Sequence, residues 1–172
     1  MQAILDWSVG FILNLQTTFT GLADFFNFFT ALGGENFYLL AFPLLYWTVD
    51  NDLRLRVGVF FAVSVILNGL LKLVTHQPRP YWISTRVQLL TEAESSFGVP
   101  SGHAQNAVVF WGTLAAHWRS RLVWGLATIV ILLIGVSRIY LGVHFPHDTV
   151  LGFSVGILLL FYLLRSEAGW LR

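Results

Sequence analysis

Three short segments of the chain combine residue types that could break a phosphoester. They are Lys72-x6-Arg79-Pro80, Pro100-Ser101-Gly102-His103 and Ser137-Arg138-x5-His144-x3-Asp148. Together they supply three cations, a Ser-Gly turn ahead of an apolar run, and two histidines, one of which has a carboxylate four residues downstream. Only 11% of the residues are Asp, Glu, Lys or Arg, so cations within or beside apolar runs are expected to be functional. This set suits transfer of a phosphoryl group to a histidine.

The first segment predicts a phosphate clamp. Pro78 and Pro80 restrict the residues before them, so the chain must leave the helix around Arg79 and hold a rigid backbone there. A planar guanidinium in such a position can bind a phosphate through two parallel hydrogen bonds. Lys72, near the end of an apolar run, fits the same clamp, or could simply extend its ammonium group to the membrane surface.

The second segment predicts an anion site at the start of a helix. Ser101 is a suitable N-cap, and Gly102 would let a ligand approach the free N–H groups of the first turn. An ordinary capped helix start fits the same residues equally well. Beside a bound phosphate, His103 would favour its protonated form and could act as a general acid.

The third segment predicts a nucleophile with a residue that orients it. Arg138 ends an apolar run, His144 follows in a short turn, and Asp148 falls in the first turn of the next helix, after Pro146. Asp148 could hold one ring nitrogen of His144 as a donor and leave the other lone pair free to attack. A structural hydrogen bond is the alternative for such a pair. His147 is expected to pack or to contact the site from behind.

The elements that must position these residues are apolar helices. Hydrophobic residues make up 56% of the chain, above the roughly 45–50% of soluble domains, which predicts an all-α integral-membrane helical bundle. Five apolar segments of about 16–22 residues approach the length that spans a bilayer. They cover residues 33–49, 57–75, 102–118, 122–143 and 149–164.

Residues 1–32 have a different pattern, because polar residues interrupt their Phe, Leu and Trp positions. This pattern predicts an amphipathic helix in the membrane interface, with a sixth span over residues 4–20 as the alternative. We expect one membrane domain over 1–172, with the amphipathic segment at 1–32 and the catalytic bundle at 33–165. No Lys or Arg precedes the first apolar positions, which disfavours a cleaved signal peptide.

The arginines predict an orientation in the membrane. Six of them fall on one side of a five-span bundle: Arg54, Arg56, Arg119, Arg121, Arg165 and Arg172. The positive-inside rule makes that side cytoplasmic. The opposite side holds Lys72, Arg79, Arg86 and Arg138, and all but Arg86 belong to the three segments. The site is therefore expected to face the periplasm or cell exterior of a bacterial inner membrane.

Taken together, the three segments resemble the type 2 phosphatidic acid phosphatase (PAP2) superfamily. Its pattern is K-x6-RP, PSGH and SR-x5-H-x3-D, and the chain matches every fixed position from Lys72 to Asp148. The stretch from Phe37 to Trp47 and the Pro80-Tyr81-Trp82 sequence also look like the small bacterial membrane members. Many of these relatives have an additional span ahead of the amphipathic segment, and none is expected here.

The resemblance implies a lipid phosphatase that needs no metal and no cofactor. It implies His144 as the nucleophile, Asp148 as its partner and His103 as the acid for the leaving group. The implied phosphate ligands are Lys72, Arg79, Ser101, Gly102 and Arg138. The implied substrate is a membrane lipid phosphate or diphosphate, such as phosphatidic acid, phosphatidylglycerol phosphate or undecaprenyl diphosphate, cleaved through a phosphohistidine.

Other functions fit parts of the pattern. A phosphotransferase that passes the phosphoryl group to a second lipid or a sugar would use the same intermediate and is the main alternative. A phosphate-lipid carrier would need the clamp but not the His144–Asp148 pair. A zinc hydrolase could use His76, His103, His144 and His147, but would leave three cations beside its metal without a function. Vanadium haloperoxidases share the motif but are soluble.

The charge and the cysteine content exclude several classes of ligand and of catalytic group. A net charge of +1 without a basic run argues against nucleic acid. The absence of cysteine excludes a thiol nucleophile and any cysteine-ligated metal. Glu92 and Glu94 are expected to be solvated in the loop 81–99, and the sequence gives no indication of an oligomeric state.

Overall fold

The computed structural model describes residues 2–170, with side chains over 3–166. Arg172, one of the six arginines used for the orientation, lies outside the described residues. All regular elements in this range are helices, which confirms the all-α prediction. In chain order they are α1 (Gln2–Thr18), α2 (Ala23–Ala31), α3 (Glu35–Thr48), α4 (Asn51–Thr75), α5 (Pro80–Ile83), α6 (Gly102–Trp118), α7 (Arg121–Tyr140) and α8 (Pro146–Trp170).

Helix α6 is the centre of the bundle and packs against α4, α7 and α8. Glycines let α6 and α8 approach each other closely. A Cβ atom on Gly112 would lie 2.4 Å from Cδ2 of Leu160, and one on Gly152 would lie 2.5 Å from the carbonyl oxygen of Ser101. Small residues at helix contacts are typical of membrane bundles, where close packing holds the helices together.

The ends of the helices follow local sequence signals. Asp50 caps α4 by accepting a 2.9 Å hydrogen bond from the N–H of Leu53. At its other end α4 stops at His76, whose φ of 47° is left-handed, just before the proline-rich stretch. Pro80 is the first residue of α5 and Pro146 the first of α8, as expected for proline.

Within the described part of the chain, three stretches are long and apolar enough to cross a membrane, judged by length and composition: Asn51–Ile83, Arg121–Tyr140 and Pro146–Ser166. Helices α2 and α3 pass the same test together, but a bend of 43° separates them. Helix α6, at 17 residues, is shorter and is largely buried among the others. The number of five spans therefore stays a prediction.

The N-terminal segment forms two helices and not one. A turn in which Gly21 has a φ of 84° separates α1 from α2. The buried side of α1 consists of Ser8, Ile12 and Gln16, spaced four residues apart. Phe26 of α2 packs on Tyr140 at the end of α7, with ring centroids 4.4 Å apart. Both helices are thus attached to the bundle, and their position in the membrane interface stays a prediction.

Candidate active site

The three sequence segments meet at one end of the bundle, where α4 ends, α6 begins and α7 turns into α8. Arg79, Ser101, His144 and Asp148 are all fully buried there. The N–H of Ser101 donates a 3.0 Å hydrogen bond to the carbonyl oxygen of Asp148 and so joins the starts of α6 and α8. Residues that are far apart in the sequence thus form one cluster.

Asp148 holds His144 from the side of α8. Its Oδ2 accepts a 2.9 Å hydrogen bond from the N–H of Phe145 and lies 3.3 Å from Nδ1 of His144. Its Oδ1 lies 3.1 Å from Nε2 of His147, which places His147 directly behind the pair. Two neighbours therefore fix the orientation of the carboxylate toward His144.

Arg79 contacts the opposite side of the His144 ring. Its Nη1 lies 3.2 Å from Nε2 of His144 and donates a 2.9 Å bond to the carbonyl oxygen of Val143. A guanidinium can only donate and a carboxylate can only accept, so the partners assign the proton to Nδ1 and the lone pair to Nε2. The lone pair that the sequence predicted is thus present on the side of the cations.

The surroundings of His144 favour its neutral imidazole. Burial lowers the pKa of His144 well below its ordinary value, and the positive charges of Arg79, Arg138 and Lys72, together with His103, lower it further. A neutral ring is the form that can act as a nucleophile.

Glu94 corrects a prediction. It was expected in a solvated loop, but its carboxylate bridges two arginines of the site. Its Oε2 accepts a 2.5 Å hydrogen bond from Nη2 of Arg79, and its Oε1 pairs with Nη2 of Arg138. Tyr81 holds the backbone of Glu94 on both sides, through a 2.7 Å bond to its carbonyl oxygen and a 3.0 Å bond from its N–H. Buried arginines require a counter-charge, and Glu94 in the loop between α5 and α6 supplies it.

The same loop binds Lys72, the third cation of the clamp, and makes further contacts with Arg79. Lys72 donates from Nζ to Oγ of Ser96 over 2.9 Å. Arg79 donates from Nε to the carbonyl oxygen of Ser96 over 2.7 Å, and from Nη2 to Oγ of Ser96 over 3.0 Å. The loop 84–100 is therefore ordered by the clamp, although it contains no regular element.

The start of α6 has the predicted cap. Oγ of Ser101 accepts from the N–H of Ala104 at 3.5 Å. Gly102 has a packing role as well, because a Cβ atom there would lie 2.9 Å from Oδ1 of Asn68 in α4. His103 faces the junction between α2 and α3, where a Cβ atom on Gly33 would lie 3.3 Å from its Cδ2.

Sequence reasoning missed a polar network that holds α6 against α4. Nδ2 of Asn68 donates to Oε1 of Gln105 over 2.9 Å and lies 3.3 Å from the carbonyl oxygen of Pro100. Nε2 of Gln105 donates over 2.9 Å to the carbonyl oxygen of Ser64. Asn68 and Gln105 each lie inside an apolar run, and this was the available signal. Polar side chains within membrane helices usually face the interior of the bundle and pair there with other polar groups.

The histidines that the zinc alternative requires are not grouped as metal ligands in the described part of the chain. Among residues 2–170, no three His, Cys, Asp or Glu side chains come together in a way that could hold a metal ion. His76 is exposed and packs on the ring of Phe97, with centroids 4.6 Å apart. The four histidines that the alternative requires therefore do not form one site.

Comparison with known proteins decides the family. The model of the PAP2 superfamily matches residues 54–170, more than half of the chain. The chain belongs to the PAP2 superfamily. This confirms the resemblance seen in the three segments. The match begins within α4, so α1, α2 and α3 lie outside it.

Two relatives of this PAP2 chain are named as phosphatases. Lipid phosphate phosphatase delta of Arabidopsis thaliana is 30% identical over 167 residues, which are 88% of this chain and 40% of the relative. Phosphatidylglycerophosphatase B of Bacillus subtilis (strain 168) is 35% identical over 128 residues, which are 69% of this chain and 58% of the relative. The chain thus spans about half the length of these relatives.

Two crystal structures share the PAP2 fold of this chain. A transmembrane PAP2 type phosphatidylglycerolphosphate phosphatase from Bacillus subtilis superimposes with a TM-score of 0.84 and 27% identity, over 98% of this chain and 88% of that one. LpxE of Aquifex aeolicus gives a TM-score of 0.80 and 25% identity, over 91% and 93% of the two chains. Together with the apolar helices, this similarity identifies an integral membrane protein.

Proposed function

We propose that the protein is a lipid phosphatase that removes a phosphate from a membrane lipid monoester or diphosphate through a phosphohistidine, without a metal. The observation that carries the proposal is the buried His144 ring, held between a carboxylate at Nδ1 and a guanidinium at Nε2. This arrangement gives a neutral nucleophile whose lone pair points at a cluster of cations. Relatives named as lipid phosphatases support the same substrate class.

The first chemical step forms the N–P bond. Nε2 of His144 attacks phosphorus in line and the bond from phosphorus to the lipid oxygen breaks. His103, which the negative charge of the bound phosphate keeps protonated, gives that oxygen a proton. As positive charge develops on the His144 ring, Asp148 stabilises it through Nδ1. Lys72, Arg79, Arg138 and the N–H groups at the start of α6 stabilise the phosphoryl oxygens.

The second step hydrolyses the intermediate. His103, now neutral, takes a proton from water, the water oxygen bonds to phosphorus, and the N–P bond breaks with its electrons returning to Nε2. Inorganic phosphate leaves, and both histidines regain their starting forms. The three cations fill the electrostatic role that a metal has in other phosphoryl-transfer enzymes.

Substrate must replace two contacts of the described state. The carboxylate of Glu94 bridges the two arginines that would bind phosphate, and Arg79 donates to the lone pair that must attack. A phosphate group offers acceptors to the same N–H donors and carries at least as much negative charge as the carboxylate. Binding is therefore an exchange of one anion for another, with Glu94 moving aside.

We further propose that the site faces the periplasm or exterior of a bacterial inner membrane. The clamp residues lie at the end of the bundle opposite Arg54, Arg119 and Arg121, which the positive-inside rule assigns to the cytoplasm. Lipid substrates of the outer leaflet would then reach the site from the membrane.

The deciding experiment is phosphate release by the purified full chain from a panel of lipid phosphates and diphosphates, with and without EDTA. We expect turnover in EDTA for the wild type and none for His144→Ala. Activity that disappears in EDTA and returns with zinc would reject the mechanism. Loss of lipid phosphate without release of inorganic phosphate, in the presence of a second lipid or sugar, would point to the phosphotransferase.

A further inference from the structure

Helix α2 contributes a side chain to the arginine clamp, although it lies outside the residues matched by the PAP2 family model. Oγ1 of Thr30, in the last turn of α2, accepts a 2.5 Å hydrogen bond from Nη1 of Arg138. Both side chains are buried. The contact joins residues separated by 108 positions, so no spacing within the three sequence segments could have indicated it.

The guanidinium of Arg138 has few other contacts that fix its direction. Its Nη2 pairs with Glu94, while its Nε is buried and has no hydrogen-bond partner within the described side chains. Exchange of Glu94 for substrate would remove one of the two polar contacts of this arginine. Thr30 would then be the protein contact that keeps the guanidinium in place.

The end of α2, which carries Thr30, is packed closely against neighbouring helices. Immediately after it, a Cβ atom on Gly33 would lie 2.8 Å from Cγ2 of Ile134 in α7 and 3.3 Å from Cδ2 of His103. Phe26, one turn before Thr30, packs on Tyr140 of α7. The same short stretch therefore touches α7, the start of α6 and Arg138, and its place relative to the site is fixed by packing.

We propose that Thr30 is a positioning residue of the phosphate site, which holds Nη1 of Arg138 so that Nη2 and Nε are presented to the substrate phosphate when Glu94 leaves. The proposal rests on the proposed phosphatase function, because it assigns Arg138 to the phosphate. It also makes α2 part of the catalytic unit. A guanidinium held at one end loses less rotational freedom on binding, and so binds an anion more tightly.

The test compares Thr30→Val, which keeps the shape and removes the acceptor, with Thr30→Ser, which keeps the hydroxyl. The readouts are KM for the lipid phosphate and the inhibition constant of orthovanadate, because neither depends on the fraction of enzyme that is folded. We expect both constants to rise about tenfold in Thr30→Val, the size of one charged hydrogen bond, and to stay within about twofold of wild type in Thr30→Ser. Thr17→Val, an exposed threonine that bonds its own helix, is the matched control and should change neither.

Three outcomes would contradict a positioning role of Thr30. Wild-type constants in Thr30→Val, or equal losses in the Val and Ser variants, would overturn the positioning role. An equal effect of Thr30→Val in an Arg138→Lys background would show that Thr30 does not act through the guanidinium, and would also overturn it. If Thr30→Val is not obtained folded, Thr30→Ala takes its place under the same criteria.

Failure of the proposed function gives a different result. In that case the wild type itself would release no phosphate from any lipid of the panel. The increase in Tm caused by orthovanadate would still measure the anion site, and a smaller increase in Thr30→Val than in Thr30→Ser is expected there too. Equal increases would overturn the role of Thr30 independently of turnover.

Discussion

At the scale of single residues, the site depends on neighbours that can form hydrogen bonds in only one direction. Asp148 accepts at one nitrogen of His144 and Arg79 donates at the other, so the tautomer of the ring follows from chemistry. Burial and the surrounding cations keep that ring neutral. The ring thus carries its proton at Nδ1 and a lone pair at Nε2, which is the form that the proposed phosphoryl transfer requires.

The two histidines should respond differently to removal. His144→Ala removes the atom that the proposed mechanism phosphorylates and should abolish both turnover and labelling. His103→Ala removes a proton donor, so a substrate with a good leaving group, such as para-nitrophenyl phosphate, should recover much of the first step and accumulate phosphoenzyme. Burst kinetics and acid-quenched labelling measure both effects. Phosphohistidine found at position 103 would contradict the assignment.

Removing the charge of Glu94 should tighten anion binding. In Glu94→Gln the clamp loses its internal competitor, so the inhibition constants of inorganic phosphate and vanadate should fall about tenfold. Two buried arginines would also lose their counter-charge, so the variant should have a lower Tm that added phosphate restores. Glu92→Gln, an exposed residue of the same loop, is the control. Unchanged inhibition constants would mean that substrate does not displace Glu94.

The lowered pKa of His144 predicts how stability depends on pH. In the unfolded chain this histidine binds a proton near its ordinary pKa of 6.5, whereas the folded protein binds it only at lower pH. At this histidine the unfolded state then carries more protons, so its contribution to the free energy of unfolding falls with acidification, by up to about 1.4 kcal/mol per pH unit. Between pH 8 and 5.5, the Tm of wild type should drop more than that of His144→Asn, which does not titrate. Parallel curves for the two proteins would contradict the burial effect.

At the scale of helices, the sequence predicted which segments come together better than where the helices begin. The apolar run at 57–75 extends to Asn51, because Asp50 caps a turn whose charged residues hid its helical character. Residues 1–32 became two helices, because Gly21 has a positive φ that the apolar pattern does not reveal. The starts of α6 and α8 agree with the Ser101 and Pro146 signals.

The contacts that could not be predicted are those between distant parts of the chain. Motif spacing indicates chemistry within each segment, and it places His144, in the turn before α8, next to Asp148 in the first turn of that helix. It does not show that Glu94 lies between two arginines or that Thr30 reaches Arg138, since both contacts require the folded bundle. The side chains that bind the clamp arginines in the absence of substrate could therefore be identified only from the folded structure.

The close approach of α8 to α6 should be sensitive to one methyl group. A Cβ atom on Gly152 would lie 2.5 Å from the carbonyl oxygen of Ser101, so Gly152→Ala must push the two helices apart next to the bond between Ser101 and Asp148. We expect a loss of about 1–3 kcal/mol in stability and a fall in kcat/KM. Gly69→Ala is the matched control, because nothing lies within 4 Å of the added methyl, and it should be neutral or stabilising. Tm and turnover of both variants measure the difference.

At the scale of the whole molecule, polar and apolar residues are distributed for a membrane. Large apolar side chains such as Leu40, Leu70 and Leu158 are exposed on the outside of the bundle, whereas the buried centre holds Arg79, Gln105 and Asp148. In water the exposed apolar side chains would be unfavourable. In a bilayer they contact lipid, and the polar groups pair with one another inside the bundle. The clamp lies at one end of the bundle, and α4, α6 and α7 have arginines at the other end.

This asymmetry predicts which end of the bundle faces the cell exterior. The chain has no cysteine, so a single introduced thiol reports one position without background. Ser95→Cys lies on the exposed loop that covers the clamp, while Ser120→Cys and Asn51→Cys lie at the ends of helices on the arginine side. In intact cells, a membrane-impermeant maleimide should label Ser95→Cys alone, and permeabilised cells should allow labelling of all three, which controls for reactivity. Labelling of Ser120→Cys and Asn51→Cys but not Ser95→Cys in intact cells would place the site in the cytoplasm. The lipid phosphates of the inner leaflet would then be the substrates to test, because a headgroup reaches only the clamp on its own side of the membrane.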